Sequence, residues 1–415
     1  MLRKKLKSDL ESRFLESLVK ELKLVKERFL KESLKSQFRE RVFSMTSISN
    51  DSFNADSPFI TACRSGNVSS LRSVIESGLV LTDAVTLNSF SRRDILAHTD
   101  VAAFLINHIS DINYHDDYNY TFLICASGAG NVVVVEKLLE RGATWGVFDR
   151  INDPSRDDAL HSASYDGYIE IVKLLVDWHT KRGPIPSDSI MKAFVYSSIE
   201  GHLSLVKYFV EFGTDASAIY NALNGTIANN RVDVAEYLFG LGADVTINGD
   251  VMTGICSRGY LDMVRLVLSK GAHLNMHNTD DVSPLQASLV YPEIINELLE
   301  HGVDPDQRFA NGTTALREVV AYGRIECLTV LLQHGAEPNL AHSDSGDTAL
   351  MVAASGVHVD CVRLLLEYRA DVAQLNHAGQ SVLDIMGDDE MYTEVVQLCL
   401  EYLECNRPEA RAILK

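Results

Sequence analysis

No apolar run in the chain approaches the about 18–20 residues that a membrane-spanning helix needs. The start, MLRKKLKSDLESRF, has bases but no continuous apolar stretch after them, which argues against a secretory signal. Seven acids among the first 43 residues argue equally against a mitochondrial presequence. Cysteine is sparse and scattered, at positions 63, 125, 256, 327, 361, 399 and 405, with no CxxC and no His pair at zinc-finger spacing beside it. An odd, dispersed set implies reduced thiols and a cytoplasmic setting, with the nucleus the other compartment that fits. Catalytic signatures are missing too: there is no G-x-S-x-G, no H-E-x-x-H, no P-loop and no dinucleotide fingerprint. The expectation is a non-enzyme with no catalytic, cofactor-binding or metal-binding residue.

Positive charge is short over most of the chain. Residues 1–43 carry 13 Lys and Arg against seven acids, whereas the rest carries 25 against 50. An acidic body of this kind repels nucleic acid, whose phosphates need clustered bases. It favours basic protein partners, and the N-terminal arm is itself one candidate.

What the sequence has in quantity is repetition. GYLDMVRLVLSKGAHLN (259–275) echoes GYIEIVKLLVDW (167–178), GHLSLVKYFVEFGTD (201–215) and GRIECLTVLLQHGAEPN (323–339). As a helix, the first of these aligns Leu261, Val264, Val267 and Leu268 on one face. Lys270 suits the negative end of the helix dipole, and Gly271 stands where a left-handed residue stops a helix. Before each opening Gly lies a shorter apolar segment, as in SPFITACRSG (57–66), YTFLICASGAG (120–130), DALHSASYDG (158–167), TALREVVAYG (314–323) and TALMVAASGV (348–357). These are too short to be helical alone in water, so each pair must stack on its neighbours. The closing glycines at 142, 213, 242, 271, 302 and 335, with Arg369 in the same place, set the period. From Gly213 onward the steps are 29, 29, 31, 33 and 34 residues. Gly78 marks an earlier copy, and VAAFLINHISDIN (101–113) a degenerate one.

The pattern resembles the ankyrin repeat family, whose unit of about 33 residues opens T-P-L-H-x-A, carries G-H before its second helix and closes L-L-x-x-G-A-D. The resemblance covers roughly residues 57–400, about ten units. Ala159-Leu160-His161, Thr314-Ala315-Leu316 and Thr348-Ala349-Leu350 keep parts of the opening, and LLERGA (138–143), LFGLGAD (238–244) and LLQHGAEPN (331–339) keep the ending. The implied fold class is all-α: an ankyrin-type helical solenoid preceded by an amphipathic N-terminal helix. Cys63 and Cys256 fall in the small-residue slot of first helices, and Cys327 and Cys361 in one core slot of second helices, so packing explains them. Likewise His202 and His358 take the G-H slot, while His301 and His334 precede closing glycines.

Irregularities divide the chain. Residues 1–45 contain no Pro or Gly, and Leu15, Leu18, Leu22, Val25 and Phe29 step 3-4-3-4, a helical seam. Residues 46–56 are a Ser-rich linker. Front repeats span 57–180, an irregular Pro-containing loop 181–188, back repeats with a terminal cap 189–400, and a tail 401–415. From Gly335 to the next inter-helix turn the chain runs 22 residues, but from Gly242 only 18. Projecting loops, or fingers, are therefore expected toward either end of the array and not around 213–271.

The resemblance implies a protein-interaction scaffold that binds through its fingers and the concave face beside them. The finger residues expected to touch a partner are Tyr114, His115, Tyr118, Trp145, Phe148, Arg150, Arg308, Phe309, Asn311 and His342, because aromatics and Arg dominate interface energy. Several of them could instead pack between adjacent fingers, Trp145 above all. The alternative function is an adaptor whose N-terminal helix docks it to a larger assembly or a membrane while the repeats select a client protein. Nucleic acid and membrane are not expected as partners. Self-association and intramolecular docking through residues 2–43 both stay open.

Overall fold

The computed structural model describes residues 57–406, apart from 118, 146–157, 215, 244–248, 275 and 388–389. The expectations for residues 1–45 and 46–56 fall outside these. The chain divides into two compact units, Met1–Ala193 and Phe194–Lys415. Among the described residues every named element is helical, with two isolated β-bridges, His115 to Thr121 and Arg308 to Thr314.

Each unit is built of short helix pairs. In the first, examples are Phe122–Ala129 with Val132–Glu140, and Ala159–Tyr165 with Ile169–Thr180. In the second, Ala315–Ala321 pairs with Ile325–Gln333, and Ala349–Ser355 with Val359–Glu367. First helices start on hydroxyl or carboxylate caps: the side chains of Thr121, Asp158, Ser283, Thr314, Thr348 and Ser381 each accept the backbone N–H three residues on. Such a cap stabilises a helix end by about 1 kcal/mol, a large share of what a seven-residue helix can gain locally.

Most second helices bury one repeated set of positions, the third, fourth, seventh and eighth, although Val68–Glu76 buries only Leu71 and Leu203–Phe212 leaves Val210 half-buried. Val134, Val135, Leu138 and Leu139 fill it in one pair, Met263, Val264, Val267 and Leu268 in another, and Cys361, Val362, Leu365 and Leu366 in a third, all buried. The face read from sequence is thus rotated slightly: Met263 is buried where Leu261 was expected, and Leu261 is half-buried. A helix that touches its own first helix and neighbours on both sides needs a broader stripe than a single ridge.

The closing glycines are left-handed at Gly142, Gly213, Gly242, Gly271, Gly302 and Gly335, with φ between 84° and 109°. Arg369 holds the same place at φ 64°. A side chain in that region costs about 1–2 kcal/mol, partly offset because glycine is freer in the unfolded chain. Arg369→Gly is therefore expected to raise stability by about 0.5 kcal/mol in urea denaturation; a loss of stability would show that the arginine side chain contributes more than its backbone costs.

Between repeats, the residue that opens one second helix packs over the turn glycine of the preceding repeat. A Cβ on Gly66 would meet His98, on Gly201 Arg231, on Gly259 Tyr291 and on Gly323 His358, all within 2.9 Å. Polar members also cap the preceding first helix: Asn131 Nδ2 donates to Leu96 O at 2.7 Å and Arg231 Nε to Ile199 O at 3.0 Å. The G-H slot is thus a coupling point between repeats.

The middle of the chain departs from the short first helix. Ser187–Glu200 and Ala216–Ala228 have 14 and 13 residues, against seven for Ala315–Ala321. Helix replaces finger there, and only three residues separate Phe212 from Ala216. At the other end, the last helix runs Thr393–Asn406. It passes the expected boundary at 400 because Leu403 is buried.

Candidate functional site

The second unit carries three successive fingers, around residues 304–314, 337–347 and 371–381, tied to one another by hydrogen bonds. At their base, the Asp306 carboxylate accepts the Glu337 N–H at 2.9 and 3.2 Å, and Asn339 Oδ1 accepts the Asp371 N–H at 2.7 Å. Burial pushes the Asp306 carboxyl above its ordinary range, against the lowering effect of the N–H that Glu337 donates. At the tips, Arg308 donates through Nη1 to Gly312 O at 3.0 Å in its own finger and through Nη2 to Ala341 O at 2.9 Å in the next. His342 donates from Nε2 to Asn311 O at 3.1 Å, and its Nδ1 accepts the N–H of Asp344 and of Ser345. His377 repeats the device one finger on, its Nδ1 facing Asp344 O at 2.9 Å.

Gly312, at φ 75°, is required at its tip: a Cβ there would run into the Ser343 hydroxyl. The result is a row of tips whose backbone is fixed before any partner arrives. Arg308, Asn311, Asp344 and His377 are exposed along it, and His342 is half-buried. Phe309 is different. It is 5% exposed and packs at the root of its finger, so it offers a partner no surface.

The first unit has a finger of its own. His115 is exposed, Tyr114 half-buried, and Asn119 turns the tip at φ 66°. Asn113 Oδ1 accepts the N–H and the hydroxyl of Thr144 at 2.7 and 3.0 Å, the same rung as in the second unit. Trp145 is 5% exposed, and its Nε1 donates to Asp158 Oδ2 at 2.8 Å while its ring meets His179 edge-on. It is a packing residue. Tyr118, Phe148 and Arg150 lie outside the described residues. Of the expected contact residues, then, the structure brings Arg308, Asn311 and His342 into one row, sets Tyr114 and His115 in another finger and buries Trp145 and Phe309. His377, Asp344, Asp306 and Asn339 were missed. Their signal was present in the spacing, since His342 and His377 are one repeat apart, as are Asp306 and Asn339.

Asp158, His161 and Ser189 form a cluster that invites a catalytic reading. Ser189 Oγ, however, donates to Asp158 Oδ2 at 3.0 Å, and His161 Nε2 faces the Ser189 carbonyl at 3.1 Å. His161 Nδ1 lies near the Asp158 N–H, and the Asp158 carboxylate also caps the helix that His161 starts. Both imidazole nitrogens thus face backbone groups, whereas a nucleophilic hydroxyl would be held by the imidazole itself. The cluster ties the segment around Ser189 to the helix Ala159–Tyr165. The thiols are similarly occupied with packing: burial pushes Cys63, Cys256 and Cys399 up to about 12, and Cys327 and Cys361 up to about 11. So little thiolate forms near neutral pH that these cysteines are poor nucleophiles. Among the described residues no group of three or more His, Cys, Asp and Glu is placed to hold a metal ion, and no helix is long and apolar enough to cross a membrane.

Known proteins are similar to this chain in sequence. Over 323 residues the chain is 25% identical to the Ankyrin repeat and KH domain-containing protein mask-1 of Caenorhabditis elegans, covering 65% of this chain and 12% of that protein. It is 24% identical over 349 residues to the Ankyrin repeat protein nuc-2 of Neurospora crassa, covering 79% and 29%. A shorter match, 39% over 92 residues, joins it to the Ankyrin repeat and KH domain-containing protein mask of Drosophila melanogaster, covering 22% and 2%. The chain thus spans less than a third of the length of each of these relatives. The family model described as "Ankyrin repeats (3 copies)" matches residues 95–182, 252–342 and 285–376, together more than half of the chain. With the same four positions buried in one second helix after another and the same family model matching in both units, the chain belongs to the ankyrin repeat family.

Proposed function

We propose that the protein is a non-enzymatic scaffold that holds a basic protein partner along the finger row of its second unit. The family supports a protein-interaction role in general, and the cross-bonded row Arg308–Asn311–His342–His377 carries the more specific reading. Backbone already fixed by its neighbours costs little to order on binding, which leaves more of the contact energy as affinity. The chemistry of the row points to the partner's charge. Asp304 in the first of the three fingers and Glu337 and Asp344 in the second are exposed, while Arg308 is largely engaged with carbonyl oxygens.

Affinity capture with the full chain tests this. Basic proteins are expected to be retained at about 50 mM salt and to fall at least fivefold by about 500 mM, where the screening length shrinks to a few ångströms. Asp304→Lys with Asp344→Lys is expected to abolish capture while leaving the melting curve in place. Capture unaffected by both salt and the charge reversals would overturn the reading.

A further inference from the structure

His342 stands within the finger row with both ring nitrogens bonded to backbone. Nε2 faces Asn311 O at 3.1 Å, so it carries a proton and donates. Nδ1 faces the N–H of Asp344 at 3.2 Å and of Ser345 at 3.3 Å, with the Ser345 hydroxyl at 3.5 Å. A ring nitrogen that meets two N–H donors has to present its lone pair to them. The geometry therefore fits the neutral ring with its proton on Nε2. A second proton, on Nδ1, would point at two other N–H groups and remove both bonds that hold residues 344 and 345. His377, one finger on, responds differently. Its Nδ1 faces a carbonyl, Asp344 O, at 2.9 Å, and a nitrogen so placed donates whether the ring is neutral or charged.

The charged groups around the His342 ring come from three fingers and one helix. In its own finger Asp344 is exposed two residues on. Asp347 accepts the His342 N–H through its carbonyl at 3.0 Å, and its carboxylate accepts Asn376 Nδ2 at 2.9 Å. The preceding finger brings Arg308, engaged with Gly312 O and Ala341 O, and the following one brings His377, packed over Gly346. Glu318, on the helix Ala315–Ala321, reaches the site only through Asn311 Nδ2 at 3.4 Å. Asp306, at the base of the fingers, accepts the Glu337 N–H instead.

We infer that His342 is a proton switch for the finger row. Neutral, it locks the tip at Asp344 and Ser345; charged, it releases the tip and draws the exposed Asp344 carboxylate to itself. Bonds that only the neutral ring makes are present at higher pH and lost as the pH falls. The inference rests on the reading of this row as the site of a basic partner, since Asp344 is one of the carboxylates such a partner meets. With Asp344 turned to the imidazolium and a positive charge added to the row, that partner is released in acid.

Amide hydrogen exchange on the full chain tests it, resolved to single residues by electron-transfer fragmentation and normalised to the unfolded rate at each pH. Between about pH 7.5 and about pH 5.5, the span in which an imidazole changes charge, protection at Asp344 and Ser345 is expected to fall at least fivefold. His342→Gln cannot take up a proton there and is expected to show no change with pH, while His377→Gln keeps the full response. Titration of Asp306 is read separately, at the Glu337 amide. Affinity capture of basic proteins by the parent chain is expected to fall at least threefold over the same span, and capture by His342→Gln to fall less. The inference is overturned if the two amides keep their protection in acid, if His342→Gln still responds, or if His377→Gln abolishes the response. It is overturned too if the tip opens and capture by the parent chain holds. Absence of capture at either pH counts against the partner alone, and exchange at the two amides then decides whether the tip is switched.

Discussion

Leu331→Ala is expected to cost about 3 kcal/mol, because Leu331 is fully buried at the seventh position of its helix and the cavity left behind cannot close. With a urea slope of about 2 kcal/mol/M, the midpoint of unfolding moves down by about 1.5 M. Val330, one residue earlier, is half-buried, and Val330→Ala is expected to cost about 1 kcal/mol or less. The contrast between adjacent residues of the same helix is the useful quantity, since both changes lower helix propensity little or not at all. Equal effects would mean that the buried set of four positions does not carry the stability of the repeat.

Asp158→Ala is expected to cost about 3 kcal/mol for a different reason. One carboxylate accepts the Trp145 indole N–H, the Ser189 hydroxyl and the His161 backbone N–H. Its removal strands three donors at a site where Trp145 and His161 are almost completely shielded from water. It also deletes the N-cap of Ala159–Tyr165. Asp158→Asn keeps the shape but accepts fewer bonds, so an intermediate loss is expected. Equilibrium denaturation measures the size, and a red shift of tryptophan emission reports the opening of the Trp145 site. If Asp158→Ala melts like the parent protein, the network is decoration on a contact held by packing alone.

How far the sequence alone reaches differs between fold and site. The period of the closing glycines and the short apolar segments before each turn located the helix pairs, since both follow from local chemistry: a left-handed residue ends a helix, and an isolated short helix must stack. The exact buried face was less legible. Met263 replaced Leu261 because contacts with two neighbouring repeats, which no single segment encodes, decide the rotation of a helix. The same holds for Ser187–Glu200 and Ala216–Ala228. Sequence showed residues missing between repeats, but not that the first helix would lengthen into the space.

The site shows the same limit. Arg308, Asn311 and His342 were identified as finger residues by their type and place, yet Phe309 beside them turned inward. Alternation along a tight hairpin decides that, and the His342 and His377 pattern becomes visible only when successive fingers are laid side by side. Trp145 was named both as a contact residue and as the one above all that could pack instead; its indole N–H partner, Asp158, lies thirteen residues away across residues 146–157.

The claim beneath both predictions is that short helices here are stable only through the neighbours they share. Amide hydrogen exchange on the full chain, resolved by peptide, tests it most directly. Second-helix segments 327–332 and 361–366, enclosed by pairs on both sides, should exchange slowest and together, with 395–403 at the end of the described array faster. Uniform rapid exchange across these helices, or protection of each helix unrelated to the repeats flanking it, would contradict the account.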